Sequence, residues 1–240
     1  MNFNQKGTVY NVQLRIKCLW NFFNCQLSIV NYNIYKLKGD LNMSKVLYIK
    51  ANVKPEGQSR TFKISDSFIE EYKKNNPSDE IITLDLYKEK IDFLKGEDLG
   101  AVFGPKTEES RNHPVLKYAY QFAEIDKYII AAPMWNLSIP AILKAYIDYV
   151  SVVGIAFKYT AQGPVGLLEN KKAIYVAARG GAYSGTPYEM DGIYLRTMLN
   201  FFGVQDVETI AAENLDVAGQ DIDKIVQESI SKAKEISKKF

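Results

Sequence analysis

The sequence has almost none of the side chains from which metal sites and hydrolytic centres are usually built. Among 240 residues there is one histidine, His113, and there are two cysteines, Cys18 and Cys25. Residues 43–240 hold no cysteine and that single histidine, so a zinc site of the Cys/His type cannot be assembled within them. His113 lies in Arg111-Asn112-His113-Pro114, a loop-like stretch ahead of a helical pattern, and reads as a surface residue rather than a member of a catalytic triad. Neither Gly-x-x-x-x-Gly-Lys-Ser/Thr nor Gly-x-Gly-x-x-Gly occurs, which removes the P-loop and the standard dinucleotide fingerprint. Excess charge of one sign is missing as well. With 30 Lys+Arg against 28 Asp+Glu there is no electrostatic reason to expect nucleic acid or an anionic membrane as partner, and a small molecule is the expected ligand. A hydrophobic share of 47% and a charged share of 24%, without repeats, describe an ordinary globular chain of one or two domains.

Residues 1–42 differ from the rest. They contain no Ala, Glu, Pro or His, hold both cysteines, and are dominated by Asn, Lys, Ile, Tyr and Phe, the residues of A/T-rich codons. Polar residues interrupt Leu19-Trp20-Asn21-Phe22-Phe23-Asn24-Cys25-Gln26-Leu27, so no signal-peptide core or membrane span is formed there, and the expected location is the cytoplasm. Lys38-Gly39-Asp40-Leu41-Asn42 precedes Met43, and Gly-Asp can be encoded by a purine-rich triplet pair resembling a ribosome-binding sequence. The expectation is that 1–42 is a poorly ordered, upstream-translated extension and that 43–240 is the folded domain. The alternative is a genuine extension with a strand or amphipathic role.

From Met43 onward short apolar runs alternate with helical periodicity. Strands are expected at 45–50, 80–85, 128–132, 172–178 and near 206–211, the third apolar throughout as a central parallel strand should be. Helices are expected through Ile64, Phe68, Ile69 and Tyr72, and over about 114–125, 139–152, 188–202 and 220–238. Five strands each followed by a helix imply right-handed crossovers and one α/β domain, a doubly wound parallel sheet with helices on both faces.

Ligands of such sheets bind outside the carboxyl ends of the strands, where the strand order reverses. Three loops sit there. In the first, Ser59 offers a hydroxyl and Arg60 a cation beside a helix N-terminus, the chemistry of a phosphate site, although a serine there also serves simply as a cap. The second, Pro133-Met134-Trp135-Asn136-Leu137, combines a flat and a polarizable side chain with an amide that donates and accepts, suited to a planar heteroaromatic ring. In the third, Arg179-Gly180-Gly181, the glycines let backbone N–H groups approach a ligand closely.

Together these loops resemble the FMN-dependent NADH-azoreductases of the flavodoxin-like quinone reductase superfamily, from about Ser44 to Lys239. The strongest block is Ala131-Ala132-Pro133-Met134-Trp135-Asn136-Leu137-Ser138-Ile139-Pro140, with Leu143-Lys144 and Asp148 after it. Similar too are Gly154-Ile155-Ala156-Phe157-Lys158-Tyr159-Thr160, Gly163-Pro164, Gly166-Leu167, the Lys171-Lys172-Ala173 strand entry and Arg179-Gly180-Gly181. The resemblance implies a three-layer, five-stranded flavodoxin-like fold. It also implies FMN, with FAD as the alternative, held at its phosphate by Gln58, Ser59 and Arg60 with Asn52 near the same end. Pro133, Met134, Trp135, Asn136 and Leu137 would line the flavin ring, and Arg179, Gly180 and Gly181 its pyrimidine edge. The chain departs from the family pattern at Asn52, Gly57 and Ala178, where serines are common, and at Trp135, where tyrosine is common.

The activity implied is a two-step transfer: NADH or NADPH gives hydride to the flavin and leaves, and a quinone or azo compound then takes two electrons. The cofactor supplies that chemistry, so no dedicated acid or base is needed, with Tyr159 or a water as the candidate proton source. The resemblance further implies a homodimer in which 154–168 packs over the partner's flavin; the alternative is a hairpin packed on its own domain. Two rival functions are a flavodoxin-like electron carrier and a flavin-free binding module on the same fold. Carriers are markedly acidic, whereas residues 43–240 carry 25 basic and 27 acidic side chains. Intact-mass spectrometry of the protein made from its own promoter is expected to find a chain that starts at Met43; an intact Met1 peptide would contradict that start.

Overall fold

Parallel strands buried on both faces need a helical layer on each side, and the chain supplies both. The computed structural model describes residues 43–55 and 57–240; the expectations for 1–42 lie outside the described residues. Five strands, β1 (Lys45–Lys50), β2 (Glu80–Asp85), β3 (Lys127–Ala131), β6 (Lys172–Ala178) and β7 (Asp206–Ala212), form one parallel sheet in the order β2-β1-β3-β6-β7. The hairpin strands β4 (Phe157–Thr160) and β5 (Gly163–Gly166) pair antiparallel outside it. The helices are α1 (Arg60–Asn75), α2 (Leu99–Phe103), α3 (Leu116–Ala123), α4 (Ala141–Val150), α5 (Met190–Phe202) and α6 (Ile222–Ser237).

The strand periodicity of two separates the core into two clusters. Leu47, Ile49, Tyr128, Ile130 and Tyr175 face α3, α4 and α5, meeting Leu116, Phe122, Leu143 and Phe202. Val46, Tyr48, Ile129, Ile174 and Val176 face α1 and α6, meeting Ile64, Phe68 and Ala233. This is the doubly wound, three-layer sheet expected. The chain leaves β1 for β2 on one side and returns to β3 on the other, so the loops after β1 and β3 diverge and open a cleft at the carboxyl ends of the strands.

Strand boundaries agree with the sequence reading at β1, β2 and β6, and elsewhere within a residue. The connection between β2 and the helical pattern at 114 carries no element in the sequence reading. It contains α2 and two short 3-10 turns, with Lys106 Nζ donating to the carbonyls of Ala101, Val102 and Gly104 and so satisfying the end of α2. The stretch 154–168 forms the hairpin, and its base packs on its own chain: Phe157 lies 4.5 Å from Phe201 between ring centroids, and Leu168 N–H donates to the Phe202 carbonyl. Its outer face stays open, with Tyr159 68% exposed. His113 closes the second 3-10 turn, its Nδ1 accepting from the Val115 N–H.

Helix α4 carries a polar misfit. The Tyr146 hydroxyl is buried with no hydrogen-bond partner among the described residues, and burial pushes its ionisation up. An unsatisfied buried donor costs about 1–3 kcal/mol, so Tyr146→Phe is expected to stabilise the protein by about 1 kcal/mol in urea denaturation. A loss of stability would mean that the hydroxyl has a partner.

Candidate functional site

The loop after β1 turns into α1 through Ser59, and the geometry there leaves donors without acceptors. Ser59 Oγ caps the helix by accepting from the Phe62 N–H at 3.1 Å, and it also accepts from Asn52 Nδ2 at 2.9 Å. A hydroxyl has two lone pairs and one proton, so the side chain has only its O–H left to offer. Asn52 is itself held, its Oδ1 accepting from the Lys54 N–H at 3.1 Å. Thr61 Oγ1 is buried and has no hydrogen-bond partner among the described residues. The first N–H groups of a helix have no intrahelical acceptor, and the helix dipole adds positive potential at the same point. Asn52, Lys54, Arg60 and Thr61 line a cavity of about 130 Å³ here.

Pro133, Met134 and Trp135, then Ala178, Arg179 and Gly180, and finally Leu215 and Asp216 form the opposite walls of the same cavity. Backbone bonds hold these walls together: Met134 N–H donates to the Ala178 carbonyl, Leu215 N–H to the Arg179 carbonyl and Asp216 N–H to the Gly180 carbonyl. Trp135 and Ser138 exchange backbone hydrogen bonds across Asn136 and Leu137, whose φ values are +49° and +67°. Two positive φ values in a two-residue loop describe a type I′ turn, and a leucine in that region costs about 1 kcal/mol. The turn exposes Trp135 and Asn136, which border a second cavity of about 530 Å³ with Tyr87, Ile139 and Tyr194. At Gly180 a Cβ would stand 2.8 Å from Asp216 Oδ2, so a larger residue would have to push that exposed carboxylate aside.

Arg179 has a different task from the one expected of it. Its side chain is fully buried and its guanidinium is surrounded by acceptors. Nε donates to Asp191 Oδ2 at 3.0 Å, one terminal nitrogen to Glu213 Oε1 at 3.1 Å and Ser184 Oγ at 3.0 Å, and the other to Glu189 Oε1 at 3.1 Å. Tyr175 adds a hydroxyl bond to Asp191 Oδ2 at 2.9 Å. Burial opposes the charge on Arg179, yet Asp191 and the other acceptors raise its pKa further. Burial likewise works against the Glu213 carboxylate, but the Tyr183 and Ser184 N–H groups and Arg179 outweigh it and hold Glu213 below the usual carboxylate range. The guanidinium thus fixes the loop 179–191 from behind, while Arg179 contributes to the cavity wall only as part of that loop.

Of the residues expected at a cofactor site, the structure brings Asn52, Arg60, Pro133, Met134, Trp135, Arg179 and Gly180 to one cavity, with Ser59 hydrogen-bonded to Asn52 at its edge and Asn136 on the adjoining one. Gln58 is exposed and lines neither cavity. Leu137 and Gly181 also stand outside both linings, Leu137 serving the turn and Gly181 sitting against the Tyr183 ring. Tyr159 lies on the hairpin, away from both. Arg60 is partly committed, one nitrogen donating to the Leu215 carbonyl and to Asp216 Oδ1, each at 3.0 Å. The sequence reading missed Thr61, Lys54, Leu215 and Asp216. Thr61 had a signal, a second hydroxyl two residues after the cap; Asp216 lies 156 residues from Arg60 and had none.

Comparison with known proteins gives a consistent picture. Residues 44–236 match the family model described as flavodoxin-like fold. An FMN-dependent NADH:quinone oxidoreductase of Clostridium beijerinckii is 75% identical over 198 residues, 82% of this chain and all of that protein. One from Lachnoclostridium phytofermentans is 60% identical, again over 82% of this chain and all of its own. The crystal structure of an azoreductase from Bacillus anthracis str. Sterne superposes with a TM-score of 0.74 at 37% identity, covering 82% of this chain and all of that one. An FMN-dependent NADH-azoreductase of Bacillus anthracis str. Ames Ancestor in complex with FMN reaches the same TM-score at 27% identity, over 82% of this chain and 99% of that one.

Removing the guanidinium leaves Asp191 charged and buried without its partner, so Arg179→Ala is expected to destabilise the cofactor-free protein by about 3–5 kcal/mol in chemical denaturation. Unchanged stability would contradict the clamp. Glu213→Gln carries its own pH signature. Because the folded-state pKa of Glu213 is depressed, its contribution is full above the unfolded value of about 4.3 and is lost as pH falls through the folded one. The stability gap between Glu213→Gln and wild type is therefore expected to close on acidification below about pH 4; a constant gap would assign the effect to packing.

Proposed function

The chain belongs to the flavodoxin-like fold family over residues 44–236, and from that premise we propose that it is an FMN-dependent NADH:quinone oxidoreductase that also reduces aromatic azo compounds. The observation that carries this reading is the cradle at the start of α1: the spare Ser59 proton and the Thr61 hydroxyl, which has no partner among the described residues, stand at a helix N-terminus whose Arg60 and Thr61 line a cavity walled also by Trp135 and Gly180. Such a set of donors fits a phosphate dianion, and the walls fit a flat ring. When bound, FMN supplies the redox chemistry, taking hydride from NADH and passing two electrons to the acceptor.

The chain's own residues bind and orient. Ser59, Thr61 and the first N–H groups of α1 hold the phosphate, with Lys54 and Arg60 adding charge. The I′ turn presents Trp135 and Asn136, one for stacking and the other for hydrogen bonding. Gly180 lets backbone come close to the ring, and the Arg179 clamp keeps that backbone in place without touching the cofactor. We place the enzyme in the cytoplasm, where its reductant is held, and read it as a homodimer. Support for the dimer comes from apolar side chains left exposed around the site and hairpin, among them Tyr159, Val165, Leu167 and Ile193. Tyr159 would then meet substrate from the second copy.

Anaerobic visible spectroscopy tests the reading directly. Protein loaded with FMN is expected to bleach on addition of one equivalent of NADH and to recover its bands with a quinone. A bound flavin that NADH leaves oxidised would favour an electron carrier, and no flavin binding would overturn the reading. Ser59→Ala and Thr61→Val are each expected to weaken FMN about tenfold, from the loss of one hydrogen bond to a charged group, in a fluorescence-quenching titration.

A further inference from the structure

The clamp behind the 179–181 loop is not electrically neutral. One guanidinium sits among three carboxylates, Glu189, Asp191 and Glu213, so the cluster holds two negative charges in excess. Asp191 is fully buried and the other two are mostly covered. The bonds fix the loop; the excess charge reaches beyond them, because charges held in protein of low dielectric are weakly screened.

The excess stands at the wall of the cofactor cavity, which Arg179 and Gly180 line directly. On the open side of that wall the charges are paired or in water. Arg60 meets Asp216 at 3.0 Å, with Asp216 largely exposed, and Lys54 is exposed and assigned to the phosphate. None of these cancels the field of the buried cluster.

We propose that the Arg179 cluster sets the reducing strength of the bound flavin: its excess negative charge opposes the charge that the ring gains on reduction and so holds the midpoint potential down. The proposal rests on the FMN-dependent reading of the site. Hydride from NADH brings two electrons and one proton, so the ring ends with one negative charge more and no other reactant is required. A lower potential narrows the driving force from NADH and widens the driving force to the acceptor. That suits azo compounds, which are weaker oxidants than quinones.

The bonding around two of the carboxylates lets charge be removed without moving the loop. All the donors that reach Glu213, namely the Tyr183 and Ser184 N–H groups, Ser184 Oγ and Arg179, bond to Oε1. Glu213→Gln keeps those bonds on its carbonyl oxygen and puts its amide nitrogen at the place of Oε2. Asp191→Asn does the same on the other side of the guanidinium: Oδ2 carries the Arg179 and Tyr175 bonds, and Oδ1 has no partner among the described residues.

Spectroelectrochemical titration of FMN-loaded protein reads the potential without turnover. Glu213→Gln and Asp191→Asn are each expected to favour the reduced flavin about tenfold, a rise of about 30 mV in a two-electron midpoint potential. Two controls separate charge from geometry. Ser184→Ala removes a partner of both Arg179 and Glu213 without changing charge, and Asp206→Asn removes a carboxylate at the start of β7, the opposite end of the sheet. Both controls are expected to stay within twofold of the wild-type equilibrium. An unchanged or lowered potential in the two charge variants would overturn the proposal. A shift in Ser184→Ala as large as theirs would assign the effect to loop geometry and overturn it as well. If Asp191→Asn fails to fold, Glu213→Gln, whose side chain is partly exposed, decides alone. A wild type that binds no flavin would overturn the functional reading and this proposal with it, whereas a bound flavin whose potential ignores both charge variants removes the proposal only.

Discussion

Ser59 Oγ spends both lone pairs within the protein, on the Phe62 N–H and on Asn52 Nδ2, and so keeps only its proton for a further partner. In the function proposed above, that small piece of valence arithmetic makes a common helix cap part of an anion site. It also couples the site to the fold, since Asn52 follows the end of β1 and Phe62 packs in the core on the α1 face of the sheet. The strand order then does the rest: reversal between β1 and β3 opens the cleft at the point where the α1 N-terminus delivers its unpaired N–H groups.

The opposite wall is held by a costlier device. Arg179, Asp191, Glu189 and Glu213 place one guanidinium among three carboxylates, and Asp191 Oδ1 is buried with no partner among the described residues. Buried ion pairs recover their desolvation cost only when geometry and hydrogen bonding are nearly complete, and an orphaned oxygen falls short of that. The gain lies in position. Glu213, 34 residues beyond Arg179, joins Glu189 and Asp191 in fixing the loop from 179 to 191, and the loop in turn carries Gly180 to the cleft.

Much of this was legible in the sequence, for identifiable reasons. Strands covered on both faces must be apolar runs, which is why 45–50 and 172–178 could be read to the residue. The Trp135 turn was legible as a motif, although its two positive φ values were not, since Leu137 gives no hint of a left-handed backbone. The segment from 86 to 115 was opaque because α2 is a single short turn stabilised by a lysine on carbonyls rather than by a periodic apolar face. Arg179 looked like a ligand contact because its carboxylate partners at 189, 191 and 213 converge only in three dimensions. Gln58 entered with Ser59 and Arg60 through the family resemblance alone, and it is exposed.

The central claim is that the start of α1 binds the phosphate of FMN as a dianion. Phosphorus NMR of the FMN-loaded protein across pH 5 to 8 tests it most directly, because a phosphate monoester free in solution titrates near pH 6. Donors that favour the charged form are expected to hold the resonance at the dianion position throughout that range. A resonance that titrates as it does in free FMN would place the phosphate in water and contradict the account.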